Sequence, residues 1–137
     1  ERIEFMQRNL LKDQRGFTLL EMMIVIVILG ILATLAIPKF SNSVALANTT
    51  KIQADLQTLN TAIAMHVAAH GKKPQNIKTD LAEYIDDIEN LKPPQGESYL
   101  RTGEKLAITA TAYELDSVNA AALCQGHALK EFGASQK

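Results

Sequence analysis

Apolar and polar residues are distributed unevenly along this chain of 137 residues. In residues 17–37 nearly every position is apolar, and Glu21 carries the one charge. At about 1.5 Å per residue, a helix of this length spans roughly 30 Å, which matches the hydrocarbon core of a bilayer. Apolar side chains fall on every side of such a helix, as contact with lipid requires. The pattern therefore predicts a single membrane-spanning helix.

Residues 41–70 predict a helix with only one apolar face. Apolar residues recur there at spacings of four, three and four, which place them on one side of a helix: Ile52, Leu56, Leu59 and Ile63. Gly71 ends this pattern, and Pro74 prevents its continuation. We therefore expect one helix over 17–69, with a transmembrane half (17–40) and an amphipathic half (41–70). A long helix of this kind indicates a stem on which another part of the chain packs.

The remaining residues, 71–137, show the short patterns of a small globular head. Helical patterns with polar N-caps are expected at two places: 80–88 after Thr79 or Asp80, and a last stretch with 120–123 and Leu129 after Asp116 or Ser117. Three short strands are expected between them: 99–101 and 105–109, joined across 102–104, and 111–115. The predicted fold class is α+β, a long helical stem with a small antiparallel sheet in the head. Because Ala- and Thr-rich runs are ambiguous, an all-helical head is the alternative.

Basic residues precede the apolar segment: Arg8, Lys12 and Arg15. None follows it before Lys39, so the positive-inside rule predicts a cytoplasmic N-terminus and an extracytoplasmic head. Glu21 is unexpected here, since a carboxylate costs on the order of 2.5–3.5 kcal/mol at the centre of a span and less near its end. Three simpler interpretations, a cleaved secretory signal, a simple signal anchor and a buried core helix, leave this charge unexplained.

The stretch Gly16-Phe17-Thr18-Leu19-Leu20-Glu21, with its basic leader and the apolar run that follows, resembles the class III signal of type IV pilins and pseudopilins. Close similarity covers about residues 12–40. The resemblance implies that a prepilin peptidase removes the leader, 1–16, by cutting between Gly16 and Phe17, and then N-methylates Phe17. It also implies that the apolar helices bundle in a filament, where Glu21 pairs with the N-terminal amine of a neighbouring subunit. That pair removes an unpaired charge and fixes the axial register.

Gly30 and Pro38 stand where many members of that family have helix breakers. Glycine costs about 1 kcal/mol in a helix interior and proline about 3 kcal/mol. Proline also removes an N–H and crowds the carbonyl four residues earlier, which here is that of Thr34. We expect a kink in the monomer and a local loss of helix between the two residues in a filament.

Composition and motifs offer little support for catalysis or metal binding. The formal net charge is −1, which gives no overall basic signature for nucleic acid. Cys124 is the only cysteine, so no internal disulfide forms, and a small buried thiol is expected. His66 and His70 have a metal-ligand spacing but lack a third ligand. We therefore predict no enzyme, no cofactor and no metal.

For two charged clusters, a structural interpretation is preferred to a ligand-binding one. The carboxylates at Asp86, Asp87 and Glu89 are predicted to form a solvated face. Calcium is known in major pseudopilins of type II secretion, but there it uses a C-terminal loop, and the tail here lacks a dense carboxylate array. The lysines at 72, 73 and 78 are expected to balance a helix C-terminus, and contact with DNA phosphates is the weaker alternative.

Together these features predict a prepilin: a single-pass protein of the cytoplasmic membrane that later enters a cell-surface filament. The resemblance implies several partners: further copies of the chain, the prepilin peptidase, an inner-membrane assembly platform with its ATPase, minor pilins, and lipid before assembly. The small head and residues 68–85 resemble competence pilins, so DNA uptake is the first interpretation. A major pseudopilin that drives type II secretion is the alternative, and adhesion or twitching pili rank third. A signal-anchored protein that forms no polymer is an interpretation of a different class.

Overall fold

The computed structural model describes residues 16–134 of the chain. Its first element is a long helix, α1 (Leu19–His70), which agrees with the helix predicted over 17–69. The chain divides into two compact units between Lys39 and Phe40.

In the first unit, α1 exposes apolar side chains on all its sides. No side chain from Leu19 to Lys39 is buried, and large aliphatic residues such as Leu35 and Ile37 are two-thirds exposed. Within the described part of the chain, α1 is the one helix that is long and apolar enough to cross a membrane. An all-round apolar surface is unstable in water, which is why lipid or other apolar helices are expected to cover it.

In the second unit, α1 buries one face in the core of the head. The buried residues of this face are Ala45, Thr49, Ile52, Leu56, Leu59, Ala62 and Ile63. They include all four that the sequence pattern predicts. Partners in the core come from the rest of the head, for example Leu81, Cys124 and Phe132. The helix ends at Gly71, whose φ of 66° suits the left-handed C-terminal position and whose N–H donates to the Val67 carbonyl.

The head contains two small antiparallel sheets, so the α+β class is confirmed over the all-helical alternative. The first sheet pairs β1 (Gly96–Tyr99) with β2 (Lys105–Ile108). The second has the order β3 (Glu114–Asp116), β4 (Ala121–Cys124) and β5 (His127–Ala128). The predicted hairpin across 102–104 is present, with its first strand shifted toward the N-terminus.

The predicted helix over 80–88 is wrong. The structure has a short helix, α2 (Ile77–Asp80), followed by turns and a 3-10 helix at Ile88–Asn90. The N-cap is Asn76, whose side chain accepts hydrogen bonds from the N–H groups of Lys78 and Thr79. The Asp80 carboxylate bonds backward to the N–H groups of Gln75 and Asn76, so it closes this turn and does not start a new helix.

The predicted last helical stretch is also wrong, because residues 121–124 form β4. Ala122 and Cys124 are fully buried, while the residues between and before them are only half-buried, which is the period of a strand. Asp116 caps a turn instead of a helix: its carboxylate accepts from the N–H groups of Val118 and Asn119. Between β4 and residue 134, the helical residues form a single 3-10 turn, Leu129–Glu131.

Candidate functional site

Thr18 and Glu21 form a capping box at the start of α1. The Thr18 hydroxyl accepts from the Glu21 N–H at 3.1 Å, and the Glu21 carboxylate accepts from the Thr18 N–H at 2.8 Å. The two bonds satisfy N–H groups that a helix start leaves without partners. The carboxylate also lies in the first turn, at the positive end of the helix dipole, where acidic side chains stabilise a helix. Glu21 therefore has a partner within its own helix.

The bond between Gly16 and Phe17 lies just before this capping box, outside the helix. Phe17 is 82% exposed, and nothing lies within 4 Å of the position where a Cβ on Gly16 would stand. Backbone of this kind is accessible to a protease, whereas helical backbone is not. The basic residues of the predicted leader, Arg8, Lys12 and Arg15, lie outside the described residues.

The predicted helix breakers are accommodated within α1, which continues through Gly30 and Pro38. The Thr34 hydroxyl donates to the Ile31 carbonyl at 2.7 Å, a bond that competes with regular helix geometry. Pro38 provides no N–H for the Thr34 carbonyl. The Thr34 carbonyl therefore lacks the backbone N–H that a regular helix would provide four residues later. The kink and the loss of helix on assembly stay predictions.

In the second unit, polar side chains of α1 attach the head to the helix. Each of these side chains forms a hydrogen bond with a backbone N–H or carbonyl group of a strand or loop. Examples are Asn48 Nδ2 to the Glu97 carbonyl (2.9 Å), Tyr99 N–H to Thr49 Oγ1 (2.7 Å), Gln53 Nε2 to the Phe132 carbonyl (2.9 Å) and Ala122 N–H to Asn60 Oδ1 (2.8 Å). The helix thus acts as an edge for both sheets, which makes it the organising element of the head.

Gln125 connects the two sheets to each other. Gln125 and Gly126 form the turn between β4 and β5 with φ values of 51° and 79°, as a two-residue hairpin turn of type I′ requires. The Gln125 side chain accepts from the N–H groups of Thr109 and Ala110 and donates to the Ala107 carbonyl. One side chain therefore completes the backbone pairing after β2, a role that no sequence pattern indicated.

The groups with candidate chemistry occupy unreactive settings. His66 and His70 stack with ring centroids 4.4 Å apart, and residues 16–134 contain no group of three ligands suited to a metal. Cys124 is fully buried, and burial raises the pKa of its thiol to about 11, so the nucleophilic thiolate is scarce at neutral pH. Tyr113 donates to the Asp55 carboxylate at 2.5 Å, and burial raises the pKa of its hydroxyl group. These contacts hold the head together.

Two of the three lysines considered for DNA contact are already engaged. Lys73 Nζ donates to the carbonyls of Ser117 and Val118 at 3.3 and 2.8 Å, and so holds the turn between β3 and β4. Lys78 pairs with Glu89 at 3.2 Å, which also neutralises part of the acidic cluster. Only Lys72 of this group has an ammonium group that makes no ion pair or hydrogen bond with other residues in 16–134.

Comparison with known proteins gives a family match in the same segment. Residues 11–37 match the model of the prokaryotic N-terminal methylation motif. Type II secretion system core protein G of Klebsiella pneumoniae is 42% identical over 64 residues, 47% of this chain and 46% of that protein. Type IV major fimbrial protein FimA of Dichelobacter nodosus is 44% identical over 50 residues, 36% of this chain and 32% of that protein. A fimbrial protein of Pseudomonas aeruginosa is 44% identical over 52 residues, 38% of this chain and 34% of that protein.

These matches span less than half the length of each relative. No solved structure matches the chain. The capping box and the exposed bond before it both lie within the matched motif, which makes the start of α1 the candidate functional site. Sequence reasoning found Gly16, Phe17 and Glu21 there but assigned no role to Thr18. The Thr-x-x-Glu spacing of a capping box was the available signal.

Proposed function

We propose that this chain, a member of the type IV pilin and pseudopilin family by its N-terminal segment, is a structural subunit of a type IV filament. The observation that carries the proposal is the position of the methylation motif, 11–37. It coincides with an exposed peptide bond, a carboxylate that caps the helix, and the apolar segment of α1, 19–39, in which no side chain is buried. Catalysis has no part in this function, and the relatives are named as secretion-system and fimbrial proteins.

The first step is processing. A prepilin peptidase cuts between Gly16 and Phe17 and methylates the new amine, while the apolar helix holds the chain in the lipid of the cytoplasmic membrane. The exposed, non-helical backbone around Phe17 supports this step, because a protease must bind an extended segment. The cut leaves the capping box intact, one residue after the new N-terminus.

The second step is polymerisation, in which Glu21 changes partner. In the isolated chain its carboxylate accepts from the Thr18 N–H. In a filament it pairs with the methylated amine of the neighbouring Phe17. A full positive charge is a stronger partner in an apolar bundle than a neutral amide N–H, so the exchange favours assembly. The neighbour's amine meets the carboxylate at only one axial position, which fixes the register of the subunits.

The assembly machinery follows from the same proposal. The assembly platform of the inner membrane and its ATPase extract the subunit from lipid, and minor pilins initiate the filament. The N-terminus faces the cytoplasm, and the head is extracytoplasmic. The methylation motif and the apolar helix support this arrangement, since both belong to the part of the chain that meets the membrane.

For the system that uses the filament, we propose a competence pilus for DNA uptake, with type II secretion as the alternative. The small head and the absence of a disulfide support the first. The identity to type II secretion system core protein G supports the second. The engagement of Lys73 and Lys78 leaves few free cations for DNA on this part of the head. A deletion strain separates the two: loss of transformation supports competence, and loss of protein export supports secretion.

The test of the proposed function is the N-terminus of the mature protein. Intact mass and N-terminal sequencing are measured on protein extracted from membranes and on sheared surface material. A chain that starts at methylated Phe17 and is present in the sheared fraction is expected. An intact leader, or a start after Ala36 as a signal peptidase would leave, contradicts the proposal.

A further inference from the structure

The head carries a groove of about 570 Å³ beside the β3–β4–β5 sheet. Polar side chains of Gln53, Asn60, Asp116 and Asn119 line it, and Leu123 and Leu129 contribute apolar surface. Two cationic residues, Arg101 and Lys130, also line it and are exposed. Apolar surface beside cations fits a segment that combines carboxylates with aliphatic or aromatic side chains.

Lys130 is close enough to Glu131 for a favourable charge interaction, but neither cation is within ion-pair distance of a carboxylate in residues 16–134. The Arg101 guanidinium and the Lys130 ammonium make no ion pair or hydrogen bond with another described residue. Two carboxylates close to these cations are engaged by hydrogen bonds: Asp116, which lines the groove, accepts from Val118, Asn119 and the Asn119 amide, and Glu131 accepts from the Ala128 N–H. Glu104 shares a second cavity with both cations but forms an ion pair with neither of them. The two cations are therefore available to a carboxylate from outside the subunit.

The groove lies on one flank of α1, and the acidic segment 83–89 lies on the other. Gln53 and Asn60 contact the groove side, through the Phe132 carbonyl and the Ala122 N–H. Lys51 and Thr58 are each two residues earlier, and hence about 200° away around the helix. They contact the acidic side: Lys51 Nζ donates to the Lys92 carbonyl, and Thr58 lines a small cavity with Tyr84. One subunit thus presents the two surfaces in opposite directions.

The acidic segment is the chemical complement of the groove. It carries four exposed acidic side chains: Glu83, Asp86, Asp87 and Glu89. Glu89 pairs with Lys78 and Asp87 accepts from the Asn90 amide, whereas Glu83 and Asp86 have no ion pair within the described residues. Tyr84 and Ile85, which are half-buried, supply apolar surface between the free carboxylates.

We propose that the acidic segment of one subunit docks in the groove of the next, with Glu83 and Asp86 meeting Arg101 and Lys130. This inference rests on the proposed function. Because donor and acceptor surfaces differ and face opposite ways, the contact is heterologous, and repeated heterologous contacts generate helical filaments and not closed dimers. Charge pairs of this kind fix register and exclude wrong neighbours more than they add affinity. The contact therefore acts as a second register element, in the heads.

The direct test is crosslinking between cysteines placed beside the charges and not in their place. Ala82→Cys adjoins Glu83, and Thr102→Cys adjoins Arg101; both positions are exposed. The native Cys124 stays unreactive because it is fully buried. Sheared filaments are treated with a short bismaleimide. The double variant is expected to give a ladder of covalent multimers, each single variant monomers, and a mixture of the two single variants dimers.

A matched control replaces Thr102→Cys by Thr111→Cys, an exposed position whose neighbours in the chain do not line the groove. This pair is expected to leave monomers. The proposal is overturned if the double variant assembles into filaments without forming the ladder, or if either single variant alone gives dimers, as a two-fold contact would. If the parent chain forms no filaments at all, the proposed function itself fails, which is a separate result.

Charge reversal gives an independent reading of the same contact. Arg101→Glu with Lys130→Glu is expected to reduce sheared filaments about tenfold, and adding Glu83→Lys with Asp86→Lys is expected to restore them to within about twofold. Thermal unfolding of each detergent-solubilised variant establishes that its head is folded. Equal loss in all variants, without restoration, overturns the pairing. Retention of filaments with loss of duplex DNA binding would assign the groove to nucleic acid instead.

Discussion

The Thr18 N–H and the Glu21 carboxylate are 2.8 Å apart, so the one charged side chain of the apolar segment caps the helix that contains it. The Thr18 hydroxyl returns the bond to the Glu21 N–H. This reciprocal cap explains how a carboxylate is tolerated at the edge of a membrane span. It also holds the carboxylate against the N–H of Thr18, the residue that follows the proposed new N-terminus at Phe17.

Removing the Thr18 hydroxyl should loosen the first turn of α1. Thr18→Ala removes the acceptor for the Glu21 N–H, and loss of such a cap costs about 0.5–2 kcal/mol. Faster hydrogen exchange is expected at the Glu21 amide in the detergent-solubilised chain, with the amides of the head unchanged. Thr18→Ser keeps a hydroxyl and should exchange like the parent chain. Equal protection in Thr18→Ala would show that the cap does not hold this turn.

Gln125 should be among the most costly polar side chains of the head to remove. Gln125→Ala deletes an acceptor for the Thr109 and Ala110 N–H groups and a donor for the Ala107 carbonyl, so three backbone groups at the end of β2 lose partners and the link between the two sheets is lost. Each unsatisfied group costs about 1–3 kcal/mol if it stays buried, and less where water replaces the partner. A clear fall in the urea midpoint is expected. Gln125→Glu keeps the acceptor and should lie between the two; an Ala variant as stable as the parent contradicts the bridging role.

Acid should destabilise the head through three carboxylates whose pKa values are lowered in the folded state. Hydrogen bonds to the carboxylates lower these pKa values. Asp80 accepts from the Gln75 N–H, Asp116 accepts from the Asn119 amide, and Glu131 accepts from the Ala128 N–H. A lowered folded pKa contributes stability above the ordinary value, 3.8 for Asp and 4.5 for Glu, and this stability is lost as the pH falls through the folded value. The melting temperature should be constant at pH 5–7 and fall below about pH 4.5. The variant Asp116→Asn should show a shallower fall, and a flat profile down to pH 3 would contradict this account.

Lys73 and Lys72 should behave differently although they are neighbours. Lys73→Met removes the donor to the Ser117 and Val118 carbonyls, so the turn between β3 and β4 should open more often. Faster hydrogen exchange at the Asn119 amide is the expected readout. Lys72→Met is the matched control, because its ammonium group makes no such bond within the described residues, and should leave this exchange unchanged. If the Asn119 amide exchanges at the same rate in both variants, Lys73 does not stabilise the turn.

Local and periodic features of the sequence predicted α1 and its buried face. Ile52, Leu56, Leu59 and Ile63 recur at the period of an α-helix, and a strand would need a different period. Gly71 ends the helix as expected. The motif around Glu21 was equally accessible, because it lies within six consecutive residues. Features of this kind depend on the chain's own neighbours and not on its folded partners.

The errors occurred where distant residues decide the structure. The alanines of residues 121–124 favour a helix. However, the Ala122 N–H donates to the Asn60 side chain, and the alternating pattern of a strand places Ala122 and Cys124 in the core. The predicted helix at 80–88 failed because Asn76 starts a helix earlier and the Asp80 carboxylate bonds backward. Gln125 was missed because the three backbone groups that it joins belong to a strand end that is distant in sequence. Such tertiary bonds leave no local signal.

The most direct measurement is filament assembly by Glu21→Val beside the parent chain and Glu21→Gln, with the N-terminus of each determined by mass. The account predicts that all three are cut before Phe17, since the cleavage site is unchanged. It predicts that the parent assembles, that Glu21→Val stays in the membrane, and that Glu21→Gln, which keeps an acceptor but loses the charge, assembles poorly. Normal filaments from Glu21→Val would contradict the central claim, because the carboxylate would then have no part in assembly.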